Sequence, residues 1–86
     1  MMLTAPELEK QGRITALRRS LNSWTLCVNL LTQSISIPIP NDYRETITPP
    51  KNSSPTLKRD LNSLIAGRRQ IVILQELIDL ETQGKE

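Results

Sequence analysis

Histidine and phenylalanine are absent from this chain, and cysteine, tryptophan and tyrosine occur once each. Without histidine, serine or cysteine hydrolase chemistry lacks its usual general base. The single Cys27 excludes an internal disulfide; it lies in an apolar run and reads as a small buried hydrophobe. The glycines Gly12, Gly67 and Gly84 are isolated, so no glycine-rich phosphate loop exists. Two carboxylate pairs, Asp42 with Glu45 and Glu76 with Asp79, are the only metal-ligand candidates, and both read as solvated groups. No apolar run approaches the roughly 20 residues that cross a bilayer. The N-terminus carries acidic residues early and no signal-peptide core, which together with one cysteine fits a cytoplasmic protein. Catalysis, a cofactor, a metal and a membrane are therefore not expected.

The absences also bear on stability. A chain of 86 residues buries a modest fraction of its surface. Leucine and isoleucine must fill its core around Trp24 and Tyr43. Small domains compensate with disulfides, metals or association, and only association is open to this composition.

What is present is helical periodicity in two blocks. The dominant one is residues 56–82. Ser54 and Pro55 mark its start: serine accepts from the first orphan N–H groups, and proline presets φ where its own N–H has no role. Leu57, Leu61, Leu64 and Ile65 form one stripe, and Arg68 falls on that stripe one turn later. Ile71, Val72, Ile73, Leu74, Leu77, Ile78 and Leu80 then point nearly all round the helix, the pattern of a helix covered on several sides. The run at 70–74 also suits a short buried strand, but Gln75, Glu76, Leu77, Asp79 and Leu80 continue without a turn signal and favour helix. Gly67 marks a kink, a close approach to another backbone, or a tolerated cost of about 1 kcal/mol.

The first block opens with Thr4 and Glu7, a capping box. From there Ile14, Leu17, Leu21, Trp24, Val28 and Leu31 step by threes and fours, a seam suited to lengthwise packing on another helix. Trp24 reads as core, with base stacking as the functional alternative. Leu26, Cys27 and Leu30 lie off the seam. At 34–40 the pattern changes to period two; Pro38 and Pro40 forbid helix and leave an extended segment with Ile35, Ile37 and Ile39 on one face. That face suits a strap over the chain's own core or a partner's sheet edge. Residues 41–54 are polar, broken by Pro49-Pro50, and read as a loop with 51–54 its most mobile part.

The expected architecture is all-α: two long antiparallel helices, about 5–33 and 55–82, joined by a long proline-containing extended loop at 34–54, with a frayed tail at 83–86. Surplus apolar surface at Trp24, Leu26, Leu30, Ile73, Leu74, Leu77 and Leu80 is the candidate partner interface, toward other subunits or a second copy. Charge is uneven: residues 1–43 net +1, 44–75 net +4 and 76–86 net −3. The basic pairs Arg18-Arg19, Lys58-Arg59 and Arg68-Arg69 are candidate contacts to a nucleic-acid backbone, since arginine binds phosphate bidentately. Neighbouring residues diverge by about 100° on a helix, so each pair spreads around it. Arg68 has two readings: a snorkelled or ion-paired side chain, with Glu7 or Glu9 as partner, or an interface contact.

Two functions follow as expectations. One is a non-catalytic helical subunit of a larger nucleoprotein assembly, of the type of the small helical subunits of CRISPR effector complexes by analogy of size, helicity and basicity. The other is a protein-interaction module, such as an adaptor, assembly chaperone or homo-oligomeric scaffold, in which the arginines serve solubility.

Overall fold

The computed structural model describes residues 4–83. It contains two helices, α1 (Ala5–Ser34) and α2 (Pro55–Gln83), joined by an extended segment, residues 35–54. The expected all-α hairpin is what forms. Among the described residues there is no strand. The helix expected to end at 82 includes Gln83, and the rest of the expected tail, 84–86, lies outside the described residues.

Both helices start where the sequence predicts, at Ala5 and Pro55. The Thr4 hydroxyl accepts from the Glu7 N–H at 3.4 Å. At α2 the Ser54 hydroxyl accepts from the Leu57 N–H at 3.1 Å, and the Ser54 carbonyl accepts from the Lys58 N–H at 3.0 Å. Such caps satisfy donors that the helix itself leaves orphaned. Ile35 ends α1 by turning extended, with φ −98° and ψ 130°, and Pro38 and Pro40 keep the chain from resuming a helix.

The helices run antiparallel. Arg13 near the start of α1 meets Glu81 near the end of α2, while Val28 near the end of α1 packs on Gly67. The α1 seam is legible in the burial at five of its six positions: Val28 is buried and Ile14, Leu17, Leu21 and Leu31 are half-buried, whereas Trp24, expected in the core, is 38% exposed, with only one edge of its ring turned toward Gly67. Against it α2 presents Leu61, Leu64, Ile71 and Leu74. Each such aliphatic side chain contributes about 1.5–3 kcal/mol on leaving water. Four of them, Val28, Leu61, Leu64 and Ile71, are almost wholly enclosed, so this short stretch carries most of the core.

Gly67 is the point of closest approach. A Cβ placed there would sit 2.8 Å from Val28 Cγ2 and 3.7 Å from Trp24 Cε3. Of the three sequence readings of this glycine, close approach is the one that applies, although the neighbours are side chains of α1. α2 continues through the position unbroken.

The segment 35–54 is a strap over its own core. Ile35 and Ile47 are buried, and Ile37, Ile39 and Tyr43 pack against the cluster they join. Its outermost turn is closed by the Arg44 N–H on the Asp42 carboxylate at 2.9 Å and the Glu45 N–H on the Asp42 carbonyl at 3.1 Å. This turn lies beside Arg68, about 20 Å along α2 from Pro55 at 1.5 Å per residue. The strap thus climbs α2 and folds back, with Ile47 on the return. Its stretch at 51–54, expected to be mobile, is held at its base by Ser53, whose N–H and hydroxyl both donate to the Pro50 carbonyl. The hairpin is elongated, 59 × 20 × 16 Å.

Candidate docking surfaces

Arg68 has the most constrained of the candidate side chains. It is 3% exposed. Its guanidinium donates to the Pro40 carbonyl at 2.8 Å and the Asp42 carbonyl at 2.6 Å, and lies over the Tyr43 ring at 4.8 Å. A planar fork of donors suits two carbonyls side by side, and the ring face adds a cation–π contact. Neither sequence reading of Arg68 describes this. Its partners are strap carbonyls, not Glu7, Glu9 or an external group. Arg68 therefore leaves the set of cations open to phosphate.

The other basic candidates, Arg18, Arg19, Lys58, Arg59 and Arg69, are exposed. The members of Arg18-Arg19 and of Lys58-Arg59 point in different directions, as the 100° step between neighbours requires. Arg59 lies 3.9 Å from Asp60. Among the described residues Arg18, Arg19, Lys58 and Arg69 have no carboxylate within salt-bridge distance. Two further cations are paired: Arg44 with Glu76 at 3.1 Å, and Arg13 with Glu81 at 2.9 Å. The hydrogen bond from Arg13 is the main cause that holds the Glu81 carboxyl below the usual carboxylate range, and the same bond raises Arg13.

Six of the seven apolar candidates are at the surface. Leu26 and Leu30 are 66% exposed and Leu80 is 68% exposed; Ile73, Leu77 and Trp24 are exposed to a lesser degree. Leu74 is the correction. It is 5% exposed, because it falls on the side of α2 that turns toward α1, one residue round from Ile73. Leu8, off the α1 seam, is exposed as well, and nothing in its sequence context marks it. Cys27 is a second correction: it is exposed, not buried, since it sits 100° round the helix from Val28.

These side chains form two faces. On α1, Leu26 and Leu30 are one turn apart on the side away from the seam, with Cys27 beside them. The chain carries no charged residue from Ser20 to Asn41, so this face is uncharged as well as apolar. On α2, Ile73, Leu77 and Leu80 follow one another at steps of four and three, opposite the stripe that packs on α1. Between the strap and α2 a groove of about 510 Å3 opens, lined in part by Tyr43, Arg44, Ile47, Arg69 and Val72.

Among the described residues no group of three potential metal ligands comes together, and no helix is long and apolar enough to cross a membrane. Fold and surface define a class: a strapped helical hairpin with apolar outer faces. Comparison with family models, curated proteins and solved structures finds no match.

Proposed function

We propose that this chain is a non-catalytic helical subunit that docks on other protein through the outer faces of α1 and α2. The observation that carries the reading is the exposure of Leu26, Leu30, Ile73, Leu77 and Leu80 on faces that the hairpin's own core does not use. Scattered apolar residues are ordinary on a surface, but aligned ones on a helix mark interaction sites. With its strap spent on covering the core, the chain has no further segment among the described residues to lay over them. The test is the size of the assembly containing the chain in native extracts. Leu77→Ser with Leu80→Ser, or Leu26→Ser with Leu30→Ser, should shift it toward the free 9.7 kDa chain. Unchanged size in both variants would overturn the reading.

Within such an assembly, contact with a nucleic-acid backbone is the second reading. It is favoured by Arg18, Arg19, Lys58 and Arg69, exposed and without a carboxylate partner among the described residues. It is weakened by the loss of Arg68 to the strap and by the divergence of the pairs. Binding to short single- and double-stranded nucleic acids across a salt series decides it. Affinity that falls steeply with salt, and falls again in Arg18→Ala with Arg19→Ala, supports it. No binding at low salt leaves protein docking alone.

A further inference from the structure

We infer that the outer face of α2 is a self-association surface, and that a second copy of this chain docks there antiparallel to the first. The inference rests on the docking reading above and names its partner. The face is a complete seam. Ser63, Ala66, Gln70, Ile73, Leu77 and Leu80 step by threes and fours over more than two heptads, opposite the inner stripe. None of these six is buried in the hairpin, and five are exposed.

Two independent features of this seam match when α2 is laid against an antiparallel copy of itself in a single register. The first is size. The small residues stand at one end and the large ones at the other. Setting Ala66 against Leu77 of the second copy also sets Ser63 against Leu80, and Gln70 against Ile73. Every leucine then faces a small residue, which is how seams interdigitate without voids. The second is charge. Arg69 and Glu76 flank the seam on the same side, one heptad apart. In antiparallel pairs the like flanks face each other, and this register sets Arg69 of each copy against Glu76 of the other. Arg69 has no carboxylate partner within the described chain, and Glu76 is held only by the exposed Arg44. A parallel pair matches neither feature. It sets Ser63 and Ala66 against themselves and brings Glu76 toward Glu81. Gln70 is the one amide in the seam; a polar residue at such a position costs stability and fixes register and copy number. In the resulting dimer the two α2 helices lie side by side at the centre with an α1 outside each. That arrangement covers the helix whose 71–80 stretch is apolar nearly all round.

The test is sedimentation equilibrium of the full chain over a concentration series, with circular dichroism as the check of fold. The wild-type chain should approach twice its 9.7 kDa mass. Leu77→Asp should hold it at the monomer mass. Arg69→Glu alone and Glu76→Arg alone each set like charges across both pairs and should weaken the dimer by about tenfold. Mixing those two variants restores opposite charges, and the mixed dimer should form in preference to either parent. A monomer at all concentrations would overturn the inference. So would a dimer indifferent to Leu77→Asp, or charge variants that show no preference for each other. If self-association fails while the serine variants above still release the chain from its assembly, docking stands and only the second copy is lost.

Discussion

The Arg68 guanidinium covers the ring of Tyr43 at 4.8 Å while donating to the carbonyls of Pro40 and Asp42. A charge that is 3% exposed is thereby balanced by backbone dipoles and a ring face, with no carboxylate within salt-bridge distance among the described residues. Removing it strands the Pro40 carbonyl and leaves the Asp42 carbonyl with the Glu45 N–H alone. Arg68→Ala should cost about 2–4 kcal/mol, and Arg68→Lys, which keeps the charge but loses the fork, about 1–2 kcal/mol. Urea unfolding of the three proteins would show that order; a lysine variant as stable as wild type would speak against the fork.

Gly67→Ala pits two effects against each other. Alanine gains about 1 kcal/mol of helix propensity. Its methyl meets Val28 Cγ2 at 2.8 Å, and overpacking of a buried, stiff β-branched side chain costs about 1–3 kcal/mol. The clash should win or break even. The same change in a Val28→Ala background should be stabilising relative to that background, and thermal melts of the four proteins give the coupling.

Ile47 anchors the returning limb of the strap and is 8% exposed. Ile47→Ala should cost about 2–4 kcal/mol, a core-sized loss from a residue in a polar loop. Amide hydrogen exchange should then quicken at Glu45 and Ser53 before it quickens in the middle of α2.

The Arg13–Glu81 pair gives the open end of the hairpin a pH dependence. The Glu81 carboxyl is lowered in the folded chain, chiefly by its hydrogen bond to Arg13. Its contribution is therefore fully present above the ordinary glutamate range and is lost as pH falls through the lowered folded value. Carboxyl NMR titration should place Glu81 below the usual glutamate range, and Arg13→Gln should bring it back up. Arg13 is exposed and Glu81 partly so, so the midpoint and not the stability is the sensitive readout.

Much of the fold could be read from spacing alone. The α1 seam from Ile14 to Leu31, the Ser54-Pro55 start and the continuity of α2 through Ile73 all rest on local signals, and the structure follows them except at Trp24, which the seam places in the core and the fold leaves exposed. The strap's isoleucines at 35, 37 and 39 were legible for the same reason. Ile47 was not, because a single apolar residue in a polar loop has no period. Arg68 was visible only as an anomaly on an apolar stripe. Its partners lie 26 and 28 residues away and are main-chain oxygens, which no side-chain pattern records. Leu74 and Cys27 were misplaced by about one step of the helix. In a segment apolar nearly all round, periodicity stops saying which side faces in.

What Arg68 grips belongs to the peptide bond and not to any particular side chain. Residues at positions 40 and 42 can therefore be exchanged without removing an acceptor, provided the backbone path is kept. The instruction for seating the strap is written mostly in α2. A different strap of similar length that offers two carbonyls at that level could be spliced into this hairpin, whereas the same strap moved to a helix without the arginine would have nothing to hold it.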